Sequence, residues 1–280
     1  MRQIDFTKMV ASGNDFIIAE LKNSTNSKQL KNLAKKTCDR KYGVGADGFL
    51  VLRKSKIADV KMRIFNPDGS EAEMCGNGAR CIALWVNAIR NTSPAQAGKA
   101  QYSILKIETK AGIIESQVNG NNVKIKLTDP KDLRLDIPIK INNRPLKVNF
   151  INTGVPHTVI FVEGLDKIDV FNLGRQIRYH QKFKPAGTNV DFVEVLSDNS
   201  IKIRTYERGV EDETLACGTG VVASTLLYAI RYTLYATSLI EVHTKSGEIL
   251  KVYFDRIDGK FTNVWLEGKT KIVYMGVYHV

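Results

Sequence analysis

The sequence has no Cys-x-x-Cys pair, no His-Glu-x-x-His motif, and only four histidines, which lie far apart. Zinc sites gather three or four such ligands at short spacing, so no metal site is expected. The four cysteines, Cys38, Cys75, Cys81 and Cys217, are too few and too scattered for a disulfide framework, which points to free thiols in a reducing compartment. Proline is scarce, seven in 280 residues, and no tract is biased in composition, which excludes a disordered or fibrous chain. The most apolar stretch, 221–240, is interrupted by Arg231 and by several Ser, Thr and Tyr residues, so no membrane span is expected. The first sixteen residues hold no unbroken apolar segment either. No secretory signal is expected, and a cytoplasmic location is.

What is present is an ordinary globular composition, 43% hydrophobic and 25% charged, at a length that suits two domains better than one core. The formal charge of +12 raises the question of a nucleic-acid partner. The basic residues are spread along the whole chain, however, with nothing longer than short pieces such as Lys35-Lys36. A generally basic surface is the reading adopted, with no nucleic-acid partner.

The chain repeats itself. Glu73-Met74-Cys75-Gly76-Asn77-Gly78 answers Leu215-Ala216-Cys217-Gly218-Thr219-Gly220, with the two cysteines 142 residues apart and a glutamate, Glu71 or Glu213, four residues before each. Other landmarks hold the same order. Gly45-Ala46-Asp47 corresponds to Gly187-Thr188-Asn189, Gly13-Asn14 to Gly154-Val155, and Thr109-Lys110-Ala111-Gly112 to Thr244-Lys245-Ser246-Gly247. Residue counting back from each cysteine aligns Glu207-Arg208 with Phe65-Asn66. Duplication accounts for all of them.

Alternating polar and apolar residues predict strands around 124–127, 201–204 and 250–254, and Asn119-Gly120 and Asp258-Gly259 mark hairpins. Helical spacing predicts helices at 28–36, 78–89 and 220–234. The fold expected is α+β, with two pseudo-symmetric domains, each a curved, mostly antiparallel sheet around a central helix, and an active site in the cleft between them. Asp129-Pro130-Lys131-Asp132 is the expected linker. The closing segment, 271–278, alternates like a strand and is expected to return to the first domain. The domains would then be 1–128 plus 270–280, and 129–269.

Each Cys-Gly-x-Gly has a physical consequence. The glycines let the backbone turn tightly and approach a ligand closely. The helix opening there leaves unpaired N–H groups at the positive end of its dipole, which favours a bound carboxylate and a thiolate. Two such sites facing one another could grip an α-carboxylate and flank its α-carbon with two sulfurs. One would remove a proton and the other would return it on the opposite face. Cys81 and Cys38 lie outside this pattern and are assigned to packing. Gly43-Val44-Gly45-Ala46-Asp47-Gly48 is a literal Gly-x-Gly-x-x-Gly, but an apolar strand-like run follows it where dinucleotide binding needs a helix, so NAD is excluded.

Along nearly its full length the chain resembles the diaminopimelate epimerases. The matching motifs are GNDF at 13–16, FNPDGSEAEMCGNGARC at 65–81, PHTV at 156–159, GTNVDFV at 187–193 and ERGVEDETLACGTG at 207–220. The resemblance implies epimerisation of L,L-2,6-diaminopimelate to the meso form in lysine and peptidoglycan precursor synthesis, without pyridoxal or any other cofactor. It implies Cys75 and Cys217 as the catalytic pair, with His157 beside Cys75 and Glu207 adjusting the thiols. Asn14, Asn66 and Asn189 become substrate contacts, as do Glu207-Arg208 at the distal amino-acid end. Gly76-Asn77 and Gly218-Thr219 become the carboxylate cradle. The family's habit also implies a homodimer acting on a small amino acid.

The chain departs from the family pattern in three places. Val10-Ala11-Ser12 replaces His-Gly-Leu, Gly48 stands where some members carry Gln, and Val155 stands where many carry Asn. These bear on substrate choice and leave open a related two-thiol racemase, for histidine for example. Proline racemases share the mechanism but match the motifs less well. A thiol redox sensor is the alternative from another class.

Overall fold

The computed structural model describes residues 3–22, 24–91, 104–232 and 239–280. The chain divides into two compact units, Met1–Ile125 with Gly268–Val280, and Lys126–Glu267. In the first, β1 (Gln3–Ala11) and β2 (Asn14–Glu20) form a hairpin whose turn residues, Ser12 and Gly13, have φ of 50° and 82°. These left-handed angles are those that tight hairpins favour. Helix α1 (Ser27–Cys38) then crosses to β3 (Gly48–Arg53), which runs parallel to β2, as a parallel neighbour requires. β4 (Val60–Phe65) is antiparallel to β3, and the two-residue β5 (Glu71–Ala72) folds back on it. Helix α2 (Gly76–Asn91) follows, then β6 (Ile104–Thr109) parallel to β4, and an antiparallel meander of β7 (Gly112–Asn119) and β8 (Asn122–Lys126).

The second unit repeats the order. β9 (Lys131–Ile141) and β10 (Arg144–Asn152) are antiparallel, as are β10 and β11 (Pro156–Phe161). Helix α3 (Val170–Arg178) crosses to β12 (Asn189–Ser197), parallel to β11. β13 (Ser200–Glu207) and the short β14 (Asp212–Thr214) lead to helix α4 (Gly218–Tyr232). β15 (Leu239–His243), parallel to β13, then meets β16 (Ile249–Ile257) and the first part of β17 (Lys260–His279). The rest of β17 pairs with β1, from Ala11 opposite Thr270 to Gln3 opposite His279. This is a duplicated α+β architecture.

Both central helices are enclosed by their own strands: α2 packs against β1 to β4, β6 and β7, and α4 against β10 to β13, β15 and β16. That enclosure explains why charge is scarce along their buried turns. Val221 to Ala229 of α4 are buried without exception, and even Arg80 of α2 is fully enclosed, donating to Ser12 and Asn77 at 2.6 and 2.7 Å. The outer helices are amphipathic. α1 opens with a capping box between Asn26 and Gln29 and lays Leu30, Leu33, Ala34 and Cys38 on Phe6, Phe49 and Phe65.

The helices at 28–36 and 78–89 prove longer at both ends than expected. The third is found at Gly218–Tyr232, and the expected continuation at 233–234 lies outside the described residues. α3 was not anticipated. Gly174 in its middle and its short length weaken the helical signal, but a Cβ at Gly174 would stand 2.5 Å from the Cβ of Tyr206, so tertiary packing dictates the glycine. The Gly43 to Gly48 segment runs into β3, a strand. Gly174→Ala should therefore destabilise the protein by about 1–3 kcal/mol despite raising helix propensity, read as a lower midpoint in urea.

Candidate active site

β5 and β14 are too short to hold themselves in place, and each is anchored by the glutamate four residues ahead of a cysteine. In the first unit Arg63 Nε lies 2.7 Å and Lys110 Nζ 2.8 Å from the Glu71 carboxylate. In the second, Arg204 Nε and Lys245 Nζ stand at the same two distances from Glu213. Hydrogen bonds from Arg63, with help from Lys110 and against burial, pull Glu71 down to about 2. At Glu213 burial acts upward, but Arg204 and Lys245 overcome it and the carboxyl sits below its usual value. These triads fix the strand that delivers each cysteine to its helix.

At the helix starts the sulfurs act as caps. Gly78 N–H donates to Cys75 Sγ at 3.4 Å, and Gly220 N–H donates to the Cys217 sulfur. Glycine is needed three residues on. A Cβ at Gly220 would meet Asp191 Oδ1 at 2.4 Å, and one at Gly78 would press on Leu50 at 3.2 Å. Cys75 is half-buried and Cys217 buried. The expected lowering of the thiol by its helix does not prevail at Cys217: burial first, then the Glu207 and Asp191 carboxylates, push it up. One N–H at a helix end is weaker than lost hydration plus two nearby anions. Burial also pushes Glu207 up. Cys38 and Cys81 are enclosed and raised by burial, Cys38 to about 11.

Around Cys75 the first unit gathers Asn77, whose Nδ2 donates to Asn14 Oδ1 at 2.6 Å, and Asn14 in turn donates to Asp47 at 3.2 Å. Lys8 and Arg40 hold Asp15 from either side at 2.8 Å, and Arg40 also reaches Asp47 at 2.7 Å. Burial raises Asp15, yet bonds from Arg40 and Lys8 reverse it and hold the carboxyl far below the usual range. Asn66 sits exposed just past β4, tied to Ser70 at 2.9 Å.

Cys217 belongs to a longer polar chain. Its sulfur is 3.5 Å from Thr219 Oγ1, which lies 2.9 Å from His157 Nε2. His157 Nδ1 stands 2.7 Å from Asp191, whose other oxygen accepts from Thr205 at 2.7 Å. Asn189 Nδ2 approaches His157 Nε2 at 3.3 Å, while its Oδ1 accepts the Arg208 N–H at 2.7 Å. Strand register explains the grouping: His157 is opposite Asn189, Asp191 is two residues further on the same face, and Thr205 is opposite Asp191. The Arg208 guanidinium is drawn to the Ala186 carbonyl at 3.1 Å.

A sequence model of the family described as diaminopimelate epimerase matches residues 6–132 and 149–271. The chain belongs to the diaminopimelate epimerase family. It is 39% identical over 288 residues to the diaminopimelate epimerase of Methanocella arvoryzae, covering 99% of this chain and 97% of that one. It is 40% identical to that of a Hydrogenobaculum species, covering 97% of each, and 42% identical to that of Archaeoglobus fulgidus, covering 89% of each. Among solved structures, a phenazine biosynthesis protein of the PhzF family from Bacillus anthracis aligns over the whole of both chains with a TM-score of 0.73 at 19% identity. A hydroxyproline epimerase from Agrobacterium vitis aligns over 99% of this chain and 92% of its own at 0.70 and 14%. These two likenesses speak for the fold.

The register shifts the internal alignment by one residue upstream of the cysteines, and Gly48, opposite Phe16, rather than Asp47, is the counterpart of Asn189, opposite His157. Glu71 is opposite Phe65 and Glu213 is opposite Tyr206, so Phe65 corresponds to Tyr206, and Asn66 to Glu207, one residue from the correspondence reached by counting. The extra residue lies in the turn before β14, where Glu211 takes φ of 60°. Sequence reading missed Asp191, Thr205, Arg63 and Arg204. The glutamates did signal the triads, since a carboxylate at a fixed offset before each cysteine needs a partner. Because Glu71 is depressed when folded, its stabilisation is full above about pH 4.5 and fades as pH falls towards 2. Glu71→Gln should lose stability at pH 7 and flatten that acid limb, as seen by thermal melts from pH 7 to 2.

Proposed function

We propose that this protein epimerises L,L-2,6-diaminopimelate to the meso isomer without a cofactor, in lysine and peptidoglycan precursor synthesis. Cys75 and Cys217 are the acid–base pair. Membership of the family over nearly the whole chain carries this reading. The matched helix starts support the chemistry: each places a sulfur beside N–H groups suited to the carboxylate on which charge develops. Gly76-Asn77 and Gly218-Thr219 hold the α-carboxylate. Asn14, Asn66 and Asn189 hold the substrate's other polar groups, Glu207-Arg208 take its distal amino-acid end, and His157 and Glu207 adjust thiol protonation. Gly48 is held to glycine by packing, since a side chain there would press on Phe16 at 3.1 Å.

Among the described residues no helix is long and apolar enough to cross a membrane, and a cytoplasmic homodimer is the form proposed for the enzyme. With freshly reduced protein and L,L-diaminopimelate, Cys75→Ala and Cys217→Ala should each lower kcat by about 10²-fold or more. Wild-type activity on histidine or proline with none on diaminopimelate would replace the substrate assignment. Mild oxidation should abolish turnover and added reductant should restore it. A reduced protein inactive on all three substrates would favour the redox sensor.

A further inference from the structure

In the first unit a chain of polar side chains links helix α2 to the β1–β2 turn, with a cation at one end and an anion at the other. Arg80 of α2, wholly enclosed, donates from Nη2 to Ser12 Oγ at 2.6 Å and to Asn77 Oδ1 at 2.7 Å. Asn77 Nδ2 donates to Asn14 Oδ1 at 2.6 Å, and Asn14 Nδ2 donates to Asp47 Oδ2 at 3.2 Å. Arg40 donates to the other oxygen of Asp47 at 2.7 Å, and the Asp15 N–H donates to Oδ2.

The two ends impose one direction. A guanidinium can only donate, so Asn77 turns its oxygen to Arg80 and its nitrogen to Asn14. An ionised carboxylate can only accept, so Asn14 turns its nitrogen to Asp47 and its oxygen to Asn77. Both requirements agree at the bond between the amides, and neither amide can flip without setting like groups against each other. Among the described residues each amide keeps one further N–H, and the two together suit an acceptor such as a carboxylate.

The fold does not require this chain. Strand register makes Val155 the counterpart of Asn14 and Thr188 that of Asp47. Counting on from each cysteine makes Thr219 the counterpart of Asn77 and Val222 that of Arg80. In the second unit one bond ties the turn to the helix, from Thr153 Oγ1 to the Thr219 carbonyl at 2.9 Å. Val222 is buried, so the Arg80 position packs well with an apolar side chain. Enclosing a guanidinium there instead is unfavourable unless its donors are bonded. Ser12, which accepts one of those bonds, stands where the family resemblance places Leu.

Resting on the reading of Asn14 and Asn77 as substrate contacts, we propose that Arg80 and Asp47 are positioning residues: the buried cation and the carboxylate hold both amides in one orientation and present their remaining N–H groups to the substrate. Arg80 acts through Asn77, and Asp47 through Asn14.

Asp47→Asn tests this most sharply, because an amide keeps the shape yet satisfies Asn14 in either orientation. Arg40 is exposed, so its pairing with Asp47 contributes little to stability and the urea midpoint should not move. In protein labelled with 15N-asparagine, the side-chain amides of Asn14 and Asn77 should be as rigid as the backbone, with order parameters of about 0.85. In Asp47→Asn the Asn14 value should fall below about 0.6. With L,L-diaminopimelate the same variant should raise KM by about tenfold, the loss of one aimed bond to a charged group, and change kcat by less than about twofold. Arg80→Met should loosen Asn77 in the same way, and if it does not fold, Asp47→Asn decides. A wild type inactive on diaminopimelate would count against the substrate assignment alone, with the order parameters still deciding this proposal. Side-chain amides mobile in the wild type, an Asn14 as rigid in Asp47→Asn as before, or a lowered kcat at unchanged KM would overturn it.

Discussion

The approach of each central helix to the strand behind it sets the terms for everything else. At Gly220 the strand's Asp191 leaves no room for a methyl group, and at Gly78 Leu50 leaves little. Cys-Gly-x-Gly places a glycine against that strand at each helix start, and the cysteine before it becomes the cap. Sulfur position follows from backbone packing, which is more exact than side-chain placement alone. The ion triads at Glu71 and Glu213 serve the same end by fixing the short strands that lead in.

On this shared frame the halves have diverged in electrostatics. The first surrounds its cysteine with asparagines and, further out, with Lys8, Arg40, Asp15 and Asp47. The second buries its cysteine beside two carboxylates and a histidine. On the proposed two-thiol reading the sulfurs need different protonation states, and a duplicated fold supplies two similar sites whose neighbours can be changed independently.

Much of this was legible in the sequence because duplication turns weak motifs into strong ones: a single cysteine at a helix start reads as a packing residue, while two at the same place in a repeat do not. The strands at 124–127, 201–204 and 250–254 and three of the helices followed from periodicity. α3 did not, because Gly174 is dictated by Tyr206, distant in sequence. Asp191 and Thr205 were invisible for a related reason. Nothing local marks them as partners of His157, and only strand register brings them together. The misplaced correspondence at Glu207 likewise came from a one-residue insertion that only pairing reveals.

The central claim is that two sulfurs on opposite faces of the α-carbon divide the proton transfer. The most direct measurement follows deuterium at the α-carbon by NMR during the first turnovers of L,L-diaminopimelate in D2O. The account predicts deuterium in the inverted product and none in recovered starting material, because the group that removes the proton is not the one that delivers its replacement. Deuterium appearing equally in both would mean one group works both faces, and would contradict it.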